Sequence, residues 1–345
     1  MVIGQGMVRS PQLDGLRAIA AISVVAFHSH LAGFNGGFIG VDIFFVLSGY
    51  LITSILVNEH QKTRRIDYLA FAVRRLNRLY PALVLMLLGF MVVVPFLPAR
   101  ADIIADMTAT ALYFNNYLIA FGFSHGYLAH TWSLASEMQF YLIWPPVVLA
   151  ILALPHRQIL FVLVIMFLAA TLWRLDVSQS SGAIRAYFAM DTRVSGFIIG
   201  GMITFIRWRP SRSLANPLAL LSVAVLAVCA AGFQQFSAFS MGPGAVLVEA
   251  AAALLILTLT GAPSGVGRLV ASPVLVRIGQ WSYGVYLWHY PISRIVNLSL
   301  EGAASFAVTL SLSLFLAAVS FELLEPKIAR LWRLLQKNAA TKRTT

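Results

Sequence analysis

Residues 13–57 read LDGLRAIAAISVVAFHSHLAGFNGGFIGVDIFFVLSGYLITSILV and contain two apolar segments, each long enough to cross a bilayer. Both segments carry ionisable side chains, which are costly in hydrocarbon and are usually retained there for a function. These side chains are Asp14, Arg17, His28, His30 and Asp42. The stretch therefore predicts a membrane protein with a polar site inside its bundle of helices.

Arg17 and His28 are expected to lie on one face of the first helix. A separation of 28 − 17 = 11 residues corresponds to about three turns plus 20°, and to a rise of about 16 Å. Taken alone, Arg17 fits an anchor that reaches the membrane surface, and His28 fits a hydrogen-bonded core histidine. Asp42 in the second segment favours a functional site instead, and we expect Arg17 and His28 to face one shared, water-accessible cavity.

The composition is that of an integral membrane protein. The 345 residues are 59% hydrophobic and 11% charged, with a mean hydropathy of +0.81, outside the range of ordinary soluble domains. The net charge of +12 comes from basic residues in short loops between apolar segments. It therefore indicates membrane topology, with anionic lipid or a phosphorylated substrate as further partners, and not binding to nucleic acid.

Apolar windows of spanning length occur at 13–32, 36–57, 79–97, 103–121, 131–152, 157–174, 188–206, 216–233, 244–261, 278–299 and 303–324. Basic clusters, which favour the cytoplasmic side, occur at 62–78, 207–212, 268–277 and 327–343. All four clusters lie on one side only if the window 103–121 does not cross. The alternative is that 103–121 is an ordinary span and one basic cluster breaks the charge rule.

We therefore predict an all-α polytopic membrane helical bundle. It has about ten transmembrane helices, one non-crossing helix on the outer side, and both termini in the cytoplasm. The single cysteine, Cys229, excludes a disulfide within the chain and reads as a small buried hydrophobic residue.

Several sequence blocks, in order along almost the whole chain, carry a family resemblance. DGLRAIAAISVVAFHSH is followed by GVDIFFVLSGYLI, by RLNRLYP at 75–81, by HTWSLASEMQFYLIWP at 130–145, by a block near 192–200, and by IGQWSYGVYLWHYP at 278–291. This pattern closely resembles acyltransferase family three, the membrane proteins that O-acylate sugars and some small molecules.

The resemblance implies a membrane O-acyltransferase of the bacterial inner membrane. It moves an acyl group, in the first instance acetyl, from cytoplasmic acetyl-CoA or another acyl-CoA to a hydroxyl of an exported or cell-surface glycan, without a metal. A small-molecule acceptor remains open. We expect one domain over residues 1–345, without the C-terminal esterase-like domain that many members carry.

Three arginines of the first basic cluster have helical spacing. Arg74, Arg75 and Arg78 are expected on an interfacial helix that precedes the span 79–97. Such a helix could bind lipid headgroups or the phosphates of an acyl donor, which suit guanidinium groups. The resemblance favours donor binding by Arg75 and Arg78, with Arg17 beneath them.

Acyl transfer from a thioester to a hydroxyl needs a base for the hydroxyl proton and positive potential for the oxyanion. His28 suits the first role, either as a base or as a transient acyl carrier, because imidazole titrates near neutrality. Arg17, which does not lose its proton, suits electrostatic work on the donor. Glu137 or Asp42 could orient the imidazole as the third member of a triad does.

Two further helical stripes hold candidate substrate-binding residues. One contains Ser133, Glu137 and Tyr141, and the other contains Ser282, Tyr286 and His289. On the second stripe we assign Tyr286 to the interfacial aromatic belt and retain His289. The substrate-binding candidates are Asp14, Trp132, Ser133, Tyr141, Arg193 and His289.

Two positions depart from the pattern of the family. Met138 stands where members often have a second glutamate, and Ser195 stands where an acidic residue is common. The competing functional class is a transporter or flippase of a glycan or small molecule, in which intramembrane Arg, His and Asp are equally natural. No inverted repeat is visible in the sequence to favour that class.

Overall fold

The computed structural model describes residues 10–96, 103–123 and 126–327, and this part of the chain is helical without strands. The helices are α1 Pro11–His28, α2 Gly40–Thr63, α3 Tyr68–Val93, α4 Ile103–Ala111, α5 Asn115–Ala120, α6 Trp132–Leu152, α7 His156–Ser180, α8 Ala183–Phe188, α9 Met190–Ile203, α10 Arg212–Gly232, α11 Ala238–Met241, α12 Pro243–Leu259, α13 Gly265–Val270, α14 Pro273–Val296 and α15 Gly302–Val319. Short 3₁₀ helices at Gly37–Ile39, Val94–Phe96 and Ala129–Thr131 and a π-helix at Ser320–Leu324 complete the described elements.

Six of the described helices are long and apolar enough to cross a membrane, namely α2, α3, α6, α7, α10 and α15. The all-α membrane bundle is thereby confirmed. The other four predicted crossings correspond to α1, α9, α12 and α14. Ten crossings stay a prediction, as does the cytoplasmic position of the termini. The last basic cluster lies outside the described residues apart from Lys327.

The window 103–121 forms two short helices. α4 has 9 residues and α5 has 6 residues, so they extend about 14 Å and 9 Å. The hydrocarbon core of a bilayer is about 30 Å thick. Neither helix is long enough to cross, in keeping with the expected non-crossing segment.

The expectation of a separate interfacial helix before the third span is wrong. α3 begins at Tyr68, where the side chain of Asp67 caps it by accepting from the backbone N–H of Ala70 at 2.9 Å, and it continues through Pro81 to Val93. Proline is tolerated inside membrane helices because neighbouring groups satisfy the freed carbonyl. Arg75 and Arg78 are therefore carried on the first turns of a long helix.

Close contacts between helices depend on glycine. A methyl group on Gly279 of α14 would lie 1.8 Å from the carbonyl oxygen of Asp14 on α1, and one on Gly49 of α2 would lie 2.0 Å from the carbonyl oxygen of Phe197 on α9. Small residues at such points let backbones approach closely in membrane bundles. The contact between α1 and α14 is the one that builds the site described next.

Candidate active site

A cavity of about 570 Å³ lies between the first halves of α1, α3, α6 and α14, the middle of α2 and the π-helix that follows α15. This volume is typical of ligand-binding pockets. Three arginines and three carboxylates line it, namely Arg17, Arg75, Arg78, Asp14, Glu137 and Glu325. Tyr141, Ser48 and Tyr283 are further polar members of its wall. The cavity therefore combines fixed positive charge with hydroxyl groups inside the bundle.

Arg17 is fixed from two sides at the inner wall of this cavity. Its Nε donates to Ser282 Oγ at 3.1 Å, and its guanidinium lies 5.5 Å from the centre of the Phe44 ring. On the opposite wall, the guanidinium of Arg75 lies 5.5 Å from the ring centre of Phe71, and its buried Nε has no hydrogen-bond partner. The unsatisfied donor of Arg75 suits an anionic ligand in the cavity.

Glu137 accepts hydrogen bonds from the hydroxyls of Ser48 and Tyr141. Its carboxylate is thus held on the cavity wall by α2 and by its own helix α6. The sequence analysis offered Glu137 as a partner of His28, and the structure gives it these two hydroxyl donors instead. Its proximity to Arg17 along the cavity wall makes it a counter-charge for that guanidinium.

Beyond Arg17 and Glu137 the cavity continues into a small pocket of about 30 Å³, which is also lined by Ser133 and Tyr286. Ser133 Oγ and the Tyr286 hydroxyl lie 2.6 Å apart, and the Tyr286 hydroxyl donates to the carbonyl of His130 at 3.0 Å. Tyr286 is only 5% exposed, so its assignment to an interfacial belt is wrong. It separates the cavity from a cluster of histidines.

Three imidazoles meet on the far side of Tyr286. His28 ends α1, His130 lies in the 3₁₀ helix before α6, and His289 is on α14. The ring centres of His28 and His130 lie 5.1 Å and 5.4 Å from that of His289. In the described part of the chain, no His, Cys, Asp or Glu residues form a group that could hold a metal ion.

Arg17 and His28 do not share the cavity. Arg17 lines both the cavity and the small pocket, whereas His28 lines neither. They lie on one helix as expected, but their difference in height places Arg17 on one side of Tyr286 and His28 on the other. Helical periodicity predicts that Arg17 and His28 share a face of α1. It does not predict that a side chain of another helix, Tyr286, lies between them.

Asp42 and Arg193 form a separate buried ion pair. Arg193 Nη2 lies 2.5 Å from Asp42 Oδ1, and the two side chains are 2% and 6% exposed. The guanidinium of Arg193 also lies 5.9 Å from the ring centre of Trp132 and 5.1 Å from that of Tyr187. The structure thus pairs Asp42 with Arg193, and not with His28, and puts Trp132 in the same cluster.

The sequence analysis missed a second buried charge network. Arg174 Nη1 lies 2.7 Å from Glu249 Oε1, which also accepts from Ser195 Oγ at 2.8 Å. Glu249 on α12 therefore brings a carboxylate to position 195, where the sequence has serine. The available signal was Glu249, the single charge of the apolar window 244–261, and Arg174 at the end of the window 157–174, because charges in a bilayer are costly and are usually paired or functional.

The predicted site residues thus fall into three groups. Arg17, Glu137, Tyr141, Asp14, Arg75 and Arg78 line the cavity. Ser133 lines the small pocket, His28 and His289 belong to the histidine cluster, and Asp42, Arg193 and Trp132 form the buried ion-pair cluster. His130 and Tyr286, which connect these groups, were not among the predicted site residues.

The fold and cavity define a helical membrane protein with a charged internal site, and comparison with known proteins names its family. The sequence model of the acyltransferase domain matches residues 10–324. The chain belongs to this acyltransferase family and is an integral membrane protein. No solved structure matches the chain.

Two curated relatives illustrate the similarity. The peptidoglycan O-acetyltransferase OatA of Listeria monocytogenes is 32% identical over 315 residues, covering 84% of this chain and 50% of that protein. The O-acetyltransferase OatA of Staphylococcus aureus is 32% identical over 364 residues, covering 93% of this chain and 57% of that protein. The chain therefore spans about half the length of the curated relatives it matches.

Proposed function

We propose that this chain is a membrane O-acetyltransferase that moves an acetyl group from acetyl-CoA to a hydroxyl of an exported or cell-surface glycan. Peptidoglycan is the first acceptor to test, because the relative from Listeria monocytogenes carries that substrate in its name. The proposal rests on the cavity lined by three arginines. Next to it is the small pocket lined by Ser133 and Tyr286, and the histidine cluster lies beyond that pocket.

The donor is proposed to bind with its phosphates at Arg75 and Arg78. Both residues line the cavity, and guanidinium groups bind phosphate oxygens through paired hydrogen bonds. The thioester end then points inward, toward Arg17 and the small pocket. Since basic loops favour the cytoplasm, this end of the bundle faces the cytoplasm of a bacterial inner membrane, and the histidine cluster faces the outer side.

The chemical step is assigned to His28, and Arg17 is assigned to binding of the donor. His28 takes the proton of the acceptor hydroxyl, the acceptor oxygen bonds to the acyl carbon, and the carbon–sulfur bond breaks. The leaving thiolate recovers the proton from the imidazolium and departs as coenzyme A. Arg17 lies about three helical turns, roughly 16 Å, from His28 on α1, so its positive charge acts on the donor and not on the tetrahedral intermediate formed at His28. In a second route, His28 carries the acyl group transiently before the hydroxyl attacks.

Because Tyr286 and Ser133 stand between Arg17 and His28, the proposal requires the acyl group to pass their hydroxyls. In this proposal the acyl donor enters the small pocket from the cavity, and the acceptor reaches it from the side of His28. His28 is half-buried, and the acceptor is proposed to approach it from the outer side.

The test uses the purified full chain in lipid nanodiscs with acetyl-CoA and uncrosslinked peptidoglycan strands. Free thiol released only when strands are present, together with acetylated strands, supports the proposal. His28→Ala that inserts correctly and keeps full turnover would overturn the assigned chemistry. Accumulation of glycan in sealed vesicles without thiol release would show a transporter instead. Acyl-imidazole trapped after an acid quench, and absent from His28→Ala, would select the second route.

A further inference from the structure

The hydrogen bonds of the histidine cluster determine which ring nitrogens carry protons. His289 Nδ1 lies 2.6 Å from the carbonyl oxygen of Tyr286. A carbonyl oxygen only accepts hydrogen bonds, so this nitrogen carries the proton. In neutral His289, Nε2 is then an acceptor.

The same reasoning applies to His28. Its Nδ1 lies 3.0 Å from the carbonyl oxygen of Val24 and 3.2 Å from His289 Nε2. Both neighbours are acceptors, so Nδ1 of His28 carries the proton and donates to both. The Nε2 atom of neutral His28 therefore holds the free lone pair, and no described residue is hydrogen bonded to it.

We propose that His289 is the positioning residue of this enzyme. Together with the Val24 carbonyl, it holds His28 in the tautomer with the proton on Nδ1, which leaves Nε2 unprotonated and available to the acceptor hydroxyl. The inference rests on the proposed function in one respect, which is that His28 acts as the base. His289 thereby performs the orienting task that the sequence analysis gave to Glu137 or Asp42, and it does so with a neutral imidazole.

The same two hydrogen bonds also stabilise His28 after it has taken up a proton. When Nε2 accepts the proton of the hydroxyl, the ring becomes an imidazolium whose Nδ1–H still points at the two acceptors. The Val24 carbonyl belongs to the same helix as His28, one turn earlier. His289 is contributed by α14, so the close packing of α1 and α14 sets the geometry of the base.

The first test is spectroscopic and needs no acceptor substrate. The chain has seven histidines, and ¹⁵N labelling of their rings in lipid bilayers allows each signal to be assigned by single substitution. We expect the signal lost in His28→Ala to belong to a neutral ring protonated on Nδ1. A His28 ring protonated on Nε2 would overturn the inference whatever the enzyme's substrate.

The second test is kinetic and separates positioning from folding. His289→Leu removes the acceptor and should lower kcat by about tenfold to a hundredfold, less than the roughly 10²–10⁴-fold that a general base itself contributes, while KM for acetyl-CoA stays within about twofold. His289→Gln places an amide oxygen near the former Nε2 and should restore most of kcat. His156→Gln, at the start of α7 far from the cluster, serves as the matched control and should behave as the native chain.

The outcomes distinguish the two proposals. If His28→Ala stays active, the assignment of the base fails, and the tautomer measurement still tests the hydrogen bonds. If His28→Ala is inactive while His289→Leu keeps native kcat, the role of His289 fails by itself. His289→Gln keeps a hydrogen-bond acceptor at this position. If it is as inactive as His289→Leu, with native insertion and native acetyl-CoA binding, the proposed role of His289 as an acceptor is contradicted.

Discussion

Asp42 and Arg193 are 151 residues apart in sequence, and their charged atoms lie 2.5 Å apart inside the bundle. The pair ties the first turn of α2 to the first turn of α9. Because Arg193 is also surrounded by aromatic rings, its guanidinium has little water to replace a lost carboxylate. The contact explains why two charges are kept in apolar helices without either of them touching the cavity.

Asp42→Leu is expected to destabilise the protein strongly, by about 3–5 kcal/mol, because it leaves an unpaired buried charge. The apparent melting temperature in detergent measures the effect. Glu59→Gln breaks the partly exposed pair with Arg74 and should cost no more than about 1 kcal/mol.

The double variant Asp42→Leu with Arg193→Met removes both charges and should recover much of the lost stability. If the single Asp42 variant melted at the native temperature yet lost turnover, Asp42 would have a chemical role instead of a structural one.

Arg75→Gln should weaken acetyl-CoA binding about tenfold and leave kcat nearly unchanged, since a charge-assisted hydrogen bond contributes about 1.5–3 kcal/mol. The measurement is KM for acetyl-CoA at two salt concentrations. Arg74→Gln is the matched control, because Arg74 is on the same helix but pairs with Glu59 outside the cavity. Equal effects of both variants would mean that the positive charge of α3 acts on lipid and not on the donor.

Ser133→Leu should fill the pocket of about 30 Å³ between Arg17 and Tyr286 and lower kcat by at least about tenfold, because small misplacements of reacting groups are costly. Acetyl-CoA binding in the larger cavity should persist, as measured by equilibrium dialysis. Ser133→Ala removes the hydroxyl without filling the pocket and separates the steric effect from the hydrogen bond to Tyr286. Native turnover in Ser133→Leu would place the route of the acyl group elsewhere.

Gly279→Ala should destabilise the contact between α1 and α14 by about 1–3 kcal/mol, the usual cost of overpacking. The added methyl group meets the Asp14 backbone at 1.8 Å, and the resulting shift also moves Arg17 away from Ser282. Thermal unfolding and kcat should therefore fall together. Gly232→Ala meets nothing within 4 Å and should change stability by no more than about 0.5 kcal/mol; a comparable loss there would show that the effect at 279 is not steric.

The sequence by itself determined the membrane location, the approximate position of most helices and the family, and it predicted that 103–121 does not cross. These follow from local hydrophobicity, from segment length and from motifs within single helices. It also brought forward six of the residues that line the cavity. Asp14, Arg17 and Glu137 are visible as charges in apolar segments, Arg75 and Arg78 follow from the basic cluster and the family resemblance, and Tyr141 shares a helical stripe with Glu137.

Only the tertiary structure decided which charges meet. The partner of Asp42 lies on another helix, as does one partner each of Glu137 and His28. Helical periodicity predicts the face of a residue but not the helix that this face contacts. In a membrane the choice of neighbour follows from close backbone packing at small residues such as Gly279, and not from an apolar stripe that sequence patterns can detect. For this reason His28 was recognisable as a candidate base from the sequence, whereas its contact with His289 became visible only when α1 and α14 were packed together.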